Sequence, residues 1–284
     1  MLIVYLIILK YKLVKMSIKM STPKSDLLFK TASFKRNIKA VLLSTIVGLT
    51  AFSNLQAKPV TLKSDASYEQ ALEEMAAKNA KKPRSPSKLT DKDQLTMKEF
   101  NQHLLDTMPA PGLAVGQKAP DFTLTNAFGK KVNLYSELKK GPVILVFYRG
   151  SWCPYCNLHL HVLNKAQPEF AKFDAQVIAV SPQMPDRSKE QIEKDGYPFE
   201  VLSDSQSDVM KDYQLFFELP QELVEVYKKF NLSLESYNGI GRNVLPVPGS
   251  FVIDKSGKVI AMQAQVDYKA RMEPADILTA LEKL

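Results

Sequence analysis

Hydrophobic positions along this chain follow two periods, and the switches between them mark its elements. The run VILVF at 143–147 has the length and β-branching of a buried strand, and QVIAV at 176–180 repeats the pattern. Residues 250–253 and 258–262 alternate around DKSG at 254–257, which predicts a hairpin. Residues 120–124 and 131–134 flank NAFGK at 126–130 and predict an earlier one; 199–202 read as short and extended. Helical spacing follows at 157–163, 188–195, 205–213 and 220–230, the last with Leu223, Val226, Tyr227 and Phe230 inward. Another helix is predicted at 273–284, with Ile277, Leu278, Leu281 and Leu284 inward. The strand–helix–strand run through 143–180 implies a right-handed parallel crossover. The order describes an α/β fold, a mixed central sheet flanked by helices. The layout is thioredoxin-like, with an N-terminal β-hairpin and an insert before the last hairpin.

Two helices precede this domain. Ser67 and Gln70 read as a capping box for a helix in which Tyr68, Leu72, Met75 and Ala76 share a face. In the second, Leu95, Met97, Phe100, Leu104 and Met108 recur near helical spacing before PAPG at 109–112. Between them KKPRSPSK at 81–88 is a linker by composition. Residues 58–112 are thus a helical extension and linker, and 113–284 the main domain. The apolar stripes of the extension are expected to pack on that domain; a partner surface is the alternative.

The formal charge of +8 is unevenly spread. Residues 1–57 hold nine Lys/Arg and the single acid Asp26, so the remainder, with 29 basic and 29 acidic residues, is neutral. No excess of positive charge is left to attract nucleic acid. KRNIK at 35–39, the apolar AVLLSTIVGLTAF at 40–52 and SNLQA at 53–57 match a secretory signal peptide, with cleavage expected after Ala57. Its apolar core is short for a membrane span. An uncleaved anchor is the rival reading and the only membrane association expected. Met16 and Met20 are alternative starts, which would make 1–15 an over-called beginning. The mature protein is expected to be exported, to a periplasm in a double-membraned bacterium.

Only two cysteines occur, in SWCPYCN at 151–157, where the central strand gives way to a helix. Thiolates, not thiols, attack disulfides and peroxides, and the free N–H groups of a helix's first turn stabilise an anion. Cys153 falls at the N-cap position, and Pro154 follows where its missing N–H costs nothing. Two intervening residues let the sulfurs meet across one turn and cycle between dithiol and disulfide. A structural staple is a poor explanation, because so short a loop gains little chain-entropy stabilisation. Zinc would need His159 and His161, which lie on different helix faces, so no metal site is expected. Arg149 is the nearest cation to the thiols. Trp152 is expected beside the dithiol and Tyr155 on its approach, while His159 reads as a helix-surface residue; Asn238, Arg242 and Arg271 are weaker candidates.

Several motifs together resemble the AhpC/TSA-type peroxiredoxins, in the branch that carries a Cys-x-x-Cys. They are VGQKAPDFTL at 115–124, FYRGSWCPYCN at 147–157, IAVSP at 178–182, VLSD at 201–204 and VPGSFVID at 247–254. The resemblance implies a thioredoxin fold, catalysis by cysteine without a bound cofactor, and recycling by thioredoxin or a similar dithiol. Relative to the bacterioferritin-comigratory type, the peroxidatic position falls on Cys156, the usual Thr position on Cys153 and the usual Pro position on Arg149. The segment 246–251, where a distant peroxide-holding Arg is expected, contains none. Pro248 instead matches the cis-proline that faces the dithiol in thioredoxin-like oxidoreductases. Two cysteine assignments follow. By the thioredoxin analogy Cys153 is exposed and attacks while Cys156 resolves; by the peroxiredoxin register Cys156 is oxidised and Cys153 condenses with it. The functions in view are a thiol peroxidase for hydrogen peroxide or alkyl hydroperoxides, an exported thiol–disulfide oxidoreductase, and a copper or zinc carrier.

Overall fold

The computed structural model describes residues 66–81 and 89–284. The leader reading, residues 58–65 and all but Lys81 of the linker reading lie outside the described residues. Helices α1 (Tyr68–Ala80) and α2 (Asp91–Thr107) come first. The hairpin β1 (Thr123–Asn126) and β2 (Lys131–Asn133) leads into a one-turn helix α3 (Leu134–Leu138), capped by the Asn133 side chain. Strand β3 (Val143–Phe147), helix α4 (Pro154–Phe170) and strand β4 (Gln176–Ser181) form the central unit. Next come α5 (Pro185–Asp195), β5 (Glu200–Ser203), α6 (Asp208–Asp212), β6 (Phe216–Glu218), α7 (Gln221–Lys229) and α8 (Glu235–Asn238). Strands β7 (Val244–Pro246), β8 (Gly249–Ile253) and β9 (Val259–Ala264) and helix α9 (Pro274–Leu281) complete the order.

Seven strands share one sheet in the order β2-β1-β5-β4-β3-β8-β9. β3, β4 and β5 are parallel and the other pairs antiparallel, so the sheet is mixed, as expected. β6 and β7 pair separately; this small sheet was not foreseen. Because side chains alternate across a strand, β3 feeds both layers. Val143, Leu145 and Phe147 enter one core with Tyr213 and Phe251. Ile144, Val146 and Tyr148 enter the other with Leu160, Leu163, Ile277 and both cysteines. The dithiol therefore sits at the end of the central strand, inside the layer between the sheet and α4.

Both leading helices pack on the domain, α1 on α4 and α2 on α7. Met97, Phe100, Leu104 and Met108 of the second stripe turn inward, but Leu95 is exposed. Phe230 and Leu284 are likewise exposed, because each lies past the end of its helix, where the apolar period no longer fixes a face. The expected capping box at α1 is half formed. Ser67 Oγ accepts from Gln70 N, while the Gln70 amide turns to Glu74. The complete box belongs to α2, between Thr90 and Asp93. Among the described residues no helix is long and apolar enough to cross a membrane.

Phe251 lies against Phe147 and Tyr213 with ring centroids 5.9 and 5.5 Å away. Phe251→Ala is expected to cost about 3–5 kcal/mol, and Leu95→Ala about 0.5 kcal/mol or less. Denaturation midpoints in urea at constant slope check both.

Candidate active site

The loop 148–153 is shaped by what surrounds it. Gly150 has φ +144°, and a Cβ there would lie 2.6 Å from the Trp152 indole nitrogen, so the turn that seats Trp152 requires glycine. Cys153 N donates to Gly150 O and Cys153 O accepts from Asn157 N, fixing the sulfur-bearing residue at the head of α4. Pro154 is its first helical residue, and the Cys153 side chain makes no capping bond. Behind the loop stands a buried amide network. Gln183 Oε1 accepts from Ser151 N, Gln183 Nε2 donates to Tyr148 Oη, and Gln191 Nε2 donates to Asn157 Oδ1. These glutamines carry no sequence motif, and reading along the chain did not find them.

A cleft of about 550 Å³ opens onto the site, lined by Trp152, Cys153, Tyr155, Tyr227, Phe230 and Tyr268 among others. Cys153 forms part of its wall yet is 1 % exposed, and Cys156 behind it has no exposed surface. The exposure expected of Cys153 by the thioredoxin analogy is therefore corrected: the side chain is enclosed by aromatic neighbours. Both thiols are free.

Two arginines face the sulfurs. Arg149 is buried, with Trp152 and Tyr268 rings 4.9 and 4.7 Å from its guanidinium carbon. Its Nη2 donates to Tyr227 Oη, and among the described residues its Nε has no partner. Arg271, also buried, directs Nη2 at Cys156 Sγ from 3.5 Å, while Nη1 donates to Ala270 O. Among the described residues neither arginine pairs with a carboxylate. Burial pushes the Cys156 thiol up, but the Cys153 hydrogen bond and the charges of Arg271 and Arg149 outweigh it and hold it well below the ordinary thiol range. Cys153 moves the other way, raised first by its hydrogen bond to Cys156 and then by burial. The two arginines and the Cys153 hydrogen bond thus favour negative charge on the inner sulfur over the outer one.

Other predicted residues fall differently. The Val247–Pro248 bond is trans, as is every peptide bond among the described residues, so the expected cis-proline is corrected. Val247 N donates to Leu215 O, and the chain passes from β7 straight into β8, an extended path that trans geometry serves. Pro248 borders a cavity of about 80 Å³ with Arg149, Tyr227 and Tyr268. His159 is buried rather than on the surface, bonded to Met272 O and edge-on to Tyr68. His161 points toward Asp195 instead, and no metal-binding group of three His, Cys, Asp or Glu forms among the described residues. Arg242 and Asn238 bond each other, and Arg242 reaches Ser207; neither serves the thiols.

The AhpC/TSA family matches residues 115–262, more than half of the chain. The chain belongs to the AhpC/TSA family. Membership makes it a peroxiredoxin-type oxidoreductase, a thiol peroxidase by class. It is 28 % identical to the Bacillus subtilis protein named Peroxiredoxin Bcp, covering 57 % of this chain and 92 % of that one. It is 30 % identical to the thiol–disulfide oxidoreductase ResA of Geobacillus kaustophilus, covering 52 % of this chain and 67 % of the relative. Among solved structures, Peroxidoxin BcpB of Mycobacterium tuberculosis aligns with a TM-score of 0.49 at 22 % identity, over 62 % of this chain and 99 % of that one. The matched region holds both cysteines and Arg149 but ends before Arg271.

His159 supplies a pH dependence. Burial, and then the Arg271 charge, lower its value from 6.5 to about 3, while the Met272 carbonyl opposes them. The unfolded imidazole therefore takes a proton that the folded one refuses. Its contribution is fully present above pH 6.5 and is lost as the pH falls toward 3, at about 1.4 kcal/mol per pH unit. His159→Gln is expected to lose stability less steeply than the parent over that interval, as urea titrations at stepped pH would reveal.

Proposed function

We propose that this AhpC/TSA-family chain reduces hydrogen peroxide and short alkyl hydroperoxides, with Cys156 attacking and Cys153 resolving. The observation that carries this order is Arg271 against the inner sulfur, where a second unpaired cation, Arg149, adds to the same field. The Cys156 thiolate attacks one peroxide oxygen and the O–O bond breaks. The departing oxygen takes up a proton from solvent and leaves as water or an alcohol, and Cys156 becomes a sulfenic acid. Cys153 then attacks that sulfur, the S–S bond forms, and water leaves with the Cys153 proton. A thioredoxin-like dithiol attacks the disulfide at Cys153, the sulfur that lines the cleft, and expels Cys156 as a stabilised thiolate, the better leaving group. The donor's second thiol releases Cys153, so two electrons have passed from donor to peroxide. Complete enclosure of Cys156 favours small oxidants.

The exported setting belongs to this proposal, with residues 1–57 acting as a leader removed after Ala57; the support is the charge and apolar pattern of that segment. A second reading, reduction or exchange of protein disulfides, is favoured by one observation: it is Cys153 of the Cys-Pro-Tyr-Cys pair that lines the cleft.

Intact mass after one equivalent of hydrogen peroxide tests the order of attack. Cys153→Ser is expected to gain one oxygen and Cys156→Ser none; the reverse result overturns it. With thioredoxin, its reductase and NADPH, oxidation of NADPH is expected to depend on peroxide. Insulin reduction without peroxide turnover would instead select the disulfide reading.

A further inference from the structure

Arg271 is carried by the segment 267–273, which crosses the dithiol before α9 begins. Tyr268 of this strap lies edge-on to Tyr155 and covers Arg149, and Arg271 meets Cys156. Within the strap itself, hydrogen bonds join Ala270 N to Asp267 O and Lys269 N to Asp267 Oδ1. Its outer fastenings come largely from α1. Tyr68 Oη donates to Lys269 O at 2.8 Å. Tyr68 N and Glu69 N, free donors of the first turn of α1, point at the two Glu273 carboxylate oxygens at 2.8 and 2.7 Å. The Tyr68 ring, 3 % exposed, stands against His159, whose Nε2 holds Met272 O. Both α1 and the strap lie outside the region matched by the family.

We infer that Tyr68 and Glu273 are positioning residues: by fastening α1 to the strap they keep the Arg271 guanidinium on the Cys156 sulfur. Two physical consequences follow from the geometry. The Lys269 and Met272 carbonyls are pinned on either side of Arg271, so its side chain departs from a fixed base. The Glu273 carboxylate, two residues from Arg271, is occupied by backbone N–H groups, which leaves Arg271 to face the thiolate. The extension is thereby a part of the catalytic apparatus. This inference deepens the peroxidase reading and rests on it for its biological meaning, but the geometry it describes can be tested without turnover.

The readout is thiolate absorbance at 240 nm through a pH titration of the full chain in a Cys153→Ser background, which isolates Cys156. Other titratable or charged groups around that sulfur are Tyr148 just after β3, Arg149 from the loop, Tyr68 from α1 and Arg271 from the strap, with His159 beside Arg271. Tyr68→Phe changes no charge near neutral pH and keeps the ring; it is expected to raise the Cys156 midpoint, leaving about threefold less thiolate below that midpoint. Glu273→Ala is expected to raise it further, to about tenfold less, and Glu273→Gln, which keeps one acceptor, to fall between. A purely electrostatic role for Glu273 has the opposite sign, since removing a nearby negative charge lowers a thiol's pKa. An unchanged midpoint in Tyr68→Phe, or a lowered one in Glu273→Ala, overturns the inference. If Glu273→Ala does not fold, Tyr68→Phe decides alone. Peroxide oxidation of the same proteins, read by mass, separates the two claims. Shifted midpoints with no oxygen gained in the parent would sink the peroxidase and leave the positioning role; oxidation with unmoved midpoints would do the reverse.

Discussion

Two guanidinium groups held away from water, with no carboxylate partner among the described residues, are what the site depends on. Burying an unpaired cation is costly, and the neighbours of Arg149 and Arg271 are aromatic rings, backbone carbonyls and sulfur. A thiolate at Cys156 is the group in this setting that would balance them. Their placement favours charge on the inner of the two adjacent cysteines, which is the basis of the proposed order of attack. A helix N-terminus alone would have favoured the outer sulfur, Cys153, at the N-cap. Arg271, reaching the inner sulfur at 3.5 Å, opposes that preference together with Arg149 and the Cys153 hydrogen bond.

Much of the fold was legible in the sequence because β3 is apolar on both faces and its neighbours alternate in simple periods. The hairpins around residues 126–130 and 254–257 and the strand–helix–strand unit follow from such patterns. The β6–β7 pair was not legible: Phe216–Glu218 is three residues long, and its partner ends in Pro246, which reads as a break. Helix α3 was hidden because Leu134 looks like the last apolar residue of a strand, whereas Asn133 caps a helical turn there. Phe230 and Leu284 were placed inward by extending a period one turn too far.

For the site, the motif at 147–157 announced the two sulfurs and Arg149, since strand, loop and helix are contiguous. Arg271 was only a weak candidate because it lies 115 residues from Cys156, and nothing local marks it. The Pro248 reading failed for a related reason. An X-Pro pair before a strand is compatible with either isomer, and the choice rests on the β7 path and the Val247–Leu215 bond, which are tertiary features. His159 was misjudged because one face of α4 that reads as polar is covered by Tyr68 from a helix far earlier in the chain.

The contact from Tyr68 to Glu273 closes a span of 205 residues. Joining segments so distant carries a large loop-closure entropy, so such a contact forms only once the intervening layers support it. Until then the Arg271 guanidinium is not held at the Cys156 sulfur, and the field around the dithiol is incomplete. The electrostatic setting of the dithiol is in this sense a late product of folding, assembled from the two ends of the described chain.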